Sequence, residues 1–110
     1  MPIDINAILS DLKNQIIDFA TKQGKDLATQ AVSDGKELLT TLRDDLSRWI
    51  QLLADKQITE LEFKLLLKGQ KDLIKMSALT QAGLTLVKID EFKDGLINLI
   101  VNVITSAIKI

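Results

Sequence analysis

Four lysines carry most of the chemistry that this sequence offers. In "FKLLLKGQKDLIKM", Lys64, Lys68, Lys71 and Lys75 recur at intervals of 4, 3 and 4 residues. On a helix that spacing places four ammonium groups along one face. Such a face attracts phosphates, carboxylates and the headgroups of acidic lipids, and the stretch reads as a basic amphipathic helix. These four residues are therefore the candidate contacts to anionic lipid. The same stripe also works as a solvated face whose stems cover apolar neighbours, complemented by Glu37, Asp44, Asp45 and Asp55. No arginine follows Arg48 and few aromatics are interleaved, so nucleic acid is not an expected partner.

Other reactive residue types are scarce. The chain has no histidine and no cysteine. It therefore lacks the usual general base near neutral pH, a thiolate nucleophile, a disulfide framework and the commonest metal ligands. Asp44–Asp45 and Asp90–Glu91 are adjacent acids. Neighbours on a helix diverge by about 100° and do not share a proton or a metal ion. There is no glycine-rich phosphate loop and no H-E-x-x-H. The sequence predicts no enzyme, no cofactor and no metal.

The elements that would position these groups are helices. The chain has 110 residues, which predicts a single domain. Hydrophobic residues make up 46%, with 19 Leu and 14 Ile, while 14 basic and 15 acidic residues leave a net charge of −1. So balanced a charge gives no global field. That many aliphatics on a thin helical structure predicts burial against another copy, a partner or lipid. The start, "MPIDINAILSDLKNQ", carries Asp4 and no basic n-region, so it is not read as a signal peptide, and a cytoplasmic location is expected.

Pro2 is the only proline, and one turn stands out, in "ADKQITELEF". Thr59 and Glu62 have capping-box spacing, and Ile58 and Phe63 have the spacing of a hydrophobic staple. The expected elements are helix 1 over about 4–55, a turn at 56–59, helix 2 over about 60–87, and a third helix or a continuation over about 90–109. Each arm would be roughly 75 Å long at 1.5 Å per residue. The expected fold class is all-α: a long antiparallel helical hairpin, its second arm broken or phase-shifted near residue 88, assembling into a helical bundle.

Within the first arm, Ala20, Gly24, Leu27, Ala31, Gly35, Leu38, Leu42, Leu46, Trp49 and Leu53 step by 4, 3, 4. The unit is eleven residues in three turns, which gives a nearly straight helix. The pattern resembles the eleven-residue repeats of apolipoproteins, synucleins and desiccation-protective proteins, a resemblance that implies lipid surfaces; three units do not assign a family. Gly24 and Gly35 fall on the stripe, marking either a close helix contact or a local bend. In a hairpin folded at 57–58, Thr80, Ala82 and Gly83 would face Val32 to Gly35.

After "KIDEFKDG", Glu91, Asp94, Asn98, Asn102, Thr105 and Lys109 form a narrow polar strip on an otherwise apolar helix. Asn98 and Asn102 either bond across a symmetric interface or form a solvated edge. Gly95 to Ile108 spans about 21 Å, short of the roughly 30 Å bilayer core. Beside it would lie the amphipathic amino terminus. The predicted oligomer or partner interface is thus Ile5, Leu9, Leu12, Ile16, Leu96, Leu99, Ile100, Val103, Ile104 and Ala107. The functional expectation is a non-enzymatic interaction protein that binds itself or another helical protein through these segments. The alternative is a membrane-active, lipid-binding protein of the pore-forming type that inserts its apolar C-terminal segment.

Overall fold

A computed structural model describes residues 3–108. The expected last turn at residue 109, and with it Lys109, lies outside the described residues. Helices dominate and no strand occurs among the described residues: α1 (Ile5–Gly24), α2 (Ala28–Ala54), α3 (Glu60–Lys68), α4 (Ser77–Gln81) and α5 (Leu86–Ile108), with single 3₁₀ turns at Lys25–Leu27 and Lys71–Leu73. The expected all-α class with an antiparallel helical hairpin is what the chain forms. Its arms fall elsewhere.

Helix 1 departs from the expected single arm. Residues 4–55 do not make one straight rod. A rod of that length would measure roughly 75 Å, whereas the molecule extends 44 × 23 × 19 Å. The chain reverses at Lys25, whose φ of 49° and ψ of −113° end α1. α1 and α2 then pack side by side as an antiparallel hairpin, with Gly24 against Ala31 and Gly35 against Ile16 and Ala20. Local propensity leans toward a break after Gly24 rather than after Gly35. Gly24 is followed by Lys-Asp-Leu and Gly35 by Lys-Glu-Leu. Aspartate is a poorer interior helix former than glutamate, and Lys71-Asp72-Leu73, after Gly69 and Gln70, also forms a 3₁₀ turn.

The expected turn at 56–59 holds. Thr59 Oγ1 accepts from the Glu62 N–H at 3.1 Å, and the Thr59 N–H donates to Glu62 Oε1 at 2.9 Å. Phe63 is fully buried and Ile58 packs on the core, consistent with the staple. α2 closes with a Schellman motif: the Gln57 N–H donates to the Leu52 carbonyl and the Lys56 N–H to the Leu53 carbonyl, with Lys56 at φ 61°.

Helix 2 also departs from the expected single element. Residues 60–87 divide into α3, the 3₁₀ turn, α4 and the first residues of α5. α4 ends in its own Schellman motif, with Gly83 at φ 93°. α5 then runs unbroken through residue 88, so the break precedes the expected position. Thr85 Oγ1 accepts from the Lys88 N–H at 3.3 Å at the start of this helix. The segment across from Val32 to Gly35 is the N-terminal end of α4, at Ala78 and Leu79, rather than residues 80–83.

The polar partner at that point is Asp34. Its carboxylate is 1% exposed and accepts from the N–H of Ala78 at 3.0 Å and of Leu79 at 2.8 Å. A carboxylate on α2 thereby satisfies the free donors of a short helix more than forty residues away. α5 lies antiparallel to α1. Lys88 and Glu91 share a cleft with Gln23 and Lys25, while farther along α5 Phe92 stacks on Phe19 at 5.7 Å and Gly95 meets the same ring. Trp49 and Phe63 meet edge to face at 6.5 Å and tie α2 to α3.

Candidate functional site

The predicted interface residues are mostly the core of the chain. Leu9, Leu12, Ile16, Leu96, Ile100 and Ile104 are buried; Ile5, Leu99 and Val103 are half-buried; Ala107 is exposed. The physical reason is the reversal at Lys25. A straight first arm would leave these segments side by side at an open greasy end, but the fold-back wraps them around one another. They are in place to hold α1, α2 and α5 together, and six of the ten have no free surface for a partner. On the same helix Asn98 and Asn102 are exposed. In this chain they form a solvated edge.

The lysine stripe also changes character. Lys64 and Lys68 share α3, but the helix ends at Lys68, so the four cations do not lie on one helical face. Lys71 turns inward: its ammonium is 2.8 Å from both Asp90 and Asp94 on α5. Hydrogen bonds to Asp90 and then to Asp94 hold the Lys71 ammonium above the ordinary lysine range, against a smaller opposing effect of desolvation. Lys93 reaches the carbonyl of Lys71 at 3.4 Å. Lys71 thus fastens the 3₁₀ turn to α5, and as a lipid contact it is already engaged. Lys64, Lys68 and Lys75 form no ion pair among the described residues.

Large apolar side chains do reach solvent, in a segment where none was expected to. Leu61, Leu65, Leu66, Leu73, Leu86 and Val87 are 39–81% exposed, and all six fall between residues 61 and 87. Three of them belong to α3. That helix buries Phe63 and Leu67 and turns Leu61 and Leu65, one turn apart, to the opposite side. A sequence signal for this existed. The staple fixes Phe63 as inward, and Leu61 and Leu65 then fall roughly opposite on the wheel.

Two other features complete the surface. A cavity of about 320 Å³ lies between the α1–α2 reversal and α5, walled by Phe19, Leu27, Ala31, Leu79 and Phe92 and reached by Lys25, Lys88 and Glu91. Among the described residues, no group of acidic side chains is arranged to hold a metal ion, and no helix is long and apolar enough to cross a membrane. No family model, curated protein or solved structure matches the chain.

Proposed function

We propose that this chain is a non-enzymatic interaction protein whose docking face is the outer side of α3. The observation that carries the reading is the exposure of Leu61, at 66%, and Leu65, at 59%, on a helix that already has Phe63 and Leu67 anchored in the core. Burying two such side chains against a partner contributes on the order of 1.5–3 kcal/mol each. An amphipathic helix that keeps leucines on its wet side is a recurring way to recruit a second helix. A second copy of this chain is the first partner to examine. This shifts the expected interface from the chain ends to the middle of the sequence.

A lipid-binding reading retains one support: Lys64 and Lys68 stand on the same helix as the exposed leucines, the composition of an interfacial anchor. Mass measurement in solution, with and without anionic vesicles, separates the two. Self-association that disappears in Leu61→Ser/Leu65→Ser supports the first reading. Vesicle binding that disappears in the same variant supports the second. A wild-type monomer at every concentration that also ignores vesicles would sink both.

A further inference from the structure

We propose that the groove between the N-terminal half of α1 and the middle of α2 binds phosphoryl oxyanions, either an oligophosphate or a phosphate-bearing headgroup. The groove encloses about 350 Å³. Each of the two antiparallel helices lines it with positions i, i+3, i+4 and i+7, from Asn6 to Lys13 and from Lys36 to Arg43, which is one rim of the α1–α2 hairpin. Lys13, Lys36 and Arg43 all line it, and no carboxylate does, although acids outnumber bases 15 to 14 in the whole chain. None of the three is within ion-pair distance of a carboxylate among the described residues. Three exposed cations along one groove with no carboxylate in its lining give it a positive local potential, and an anion that spans them gains charge-assisted hydrogen bonds.

The shape narrows the ligand class. Lys36 and Arg43 are seven residues apart on α2, about 10 Å along the helix axis. Lys13 joins from α1, and Ser10 on the same helix adds a hydroxyl with no partner among the described residues. The bottom is buried leucine, Leu9 and Leu39, at 6% and 8% exposure. Spaced cations over an apolar bottom suit an elongated, multiply charged oxyanion better than a single carboxylate, and Arg43 supplies the planar fork that matches phosphoryl oxygens. This inference is independent of the α3 docking face.

The test is calorimetric titration at low salt with inorganic tripolyphosphate, alongside sedimentation with phosphatidylcholine vesicles that contain or lack phosphatidic acid. Glutamine keeps good helix propensity, so Lys36→Gln, Arg43→Gln and Lys13→Gln should fold, which circular dichroism verifies. Tripolyphosphate binding that weakens about tenfold in each groove variant, with Lys64→Gln/Lys68→Gln unchanged, supports a soluble oligophosphate ligand. Binding only to phosphatidic acid vesicles, lost in the groove variants, supports a headgroup ligand. The inference is overturned if wild-type protein binds neither probe, or if Lys64→Gln/Lys68→Gln weakens binding as much as the groove variants do.

Discussion

Gly35 on α2 lies so close to Ile16 on α1 that a methyl group added to the glycine would stand 2.8 Å from Ile16 Cγ2. Ile16 is fully buried and β-branched, so it has little freedom to turn away. Gly35→Ala gains up to about 1 kcal/mol of helix propensity, but overpacking costs typically 1–3 kcal/mol. With the full propensity gain, a net destabilisation of up to about 2 kcal/mol is expected in urea titration, and Gly35→Leu should be worse. A rise in stability for Gly35→Leu would mean that this helix face is open.

Lys25 decides between the folded-back first arm and a straight one. With φ at 49° and ψ at −113° it sits in a sparsely populated backbone region, where a residue other than glycine costs roughly 1–3 kcal/mol. Lys25→Gly should therefore stabilise the protein, by up to about 1 kcal/mol after the added freedom of the unfolded chain is counted. In a continuous helix the same change would destabilise by about 1 kcal/mol. The sign of the shift in melting temperature distinguishes the two architectures.

Asp34 should be felt chiefly in α4. Asp34→Ala leaves the N–H of Leu79 buried without its acceptor, a loss of about 1–3 kcal/mol. Asp34→Asn keeps one acceptor oxygen and should lose less. Amide exchange at Ala78 and Leu79 should quicken in the alanine variant well before exchange in α1 or α2 does. Equal exchange at those amides in wild type and variant would contradict the docking role.

These residues also mark what could be read from the sequence. Thr59 and Glu62 announced their turn because the signal is local: four residues contain both hydrogen bonds. The stripe from Ala20 to Leu53 was legible as buried, and each of its members is buried or half-buried. Its continuity was not. Small residues on one face serve a straight contact and the inside of a tight reversal equally well, and only the long-range packing of Gly35 on Ile16 separates them. The role of Asp34 has no local signal, because its partners lie more than forty residues away. Spacing alone puts Lys71 on a cationic stripe, because its ion pairs with Asp90 and Asp94 depend on where α3 ends. The Leu61–Leu65 face was within reach of the staple logic. The basic groove was not, since its residues come from two helices that meet only after the reversal.

Lys71 makes one contribution to stability that depends on strongly alkaline pH. Asp90 and Asp94 raise its ammonium above the ordinary value of 10.5. A group with a raised folded pKa contributes stability fully below its unfolded value and loses it as pH climbs through the folded one. The contribution is thus complete at neutral pH and disappears only above pH 10.5. Lys71→Met should lower stability by a constant amount from neutral pH up to mildly alkaline conditions. The gap to wild type should close only above the unfolded lysine range. Denaturant titrations across that window test it, and a gap already closing near neutral pH would assign the pair no role.

Ile100 separates intrachain packing from assembly. It is fully buried in the single chain, among the residues that join α5 to the rest of the core. A carboxylate placed there has no partner, and burying an unpaired charge is among the costliest single changes, above roughly 4 kcal/mol. A domain of this size has only about 5–15 kcal/mol in total, so Ile100→Asp should unfold or nearly unfold the chain at any protein concentration. Were Ile100 instead an intermolecular contact, the same variant would dissociate into folded monomers, and the melting temperature of wild type would rise steeply with concentration. Leu65→Asp is the counterpart. At 59% exposure it should leave helicity and melting temperature nearly unchanged while removing any association through α3. Helical, cooperative melting of Ile100→Asp would show that the core drawn around α5 is wrong, whatever the mass of the wild-type protein.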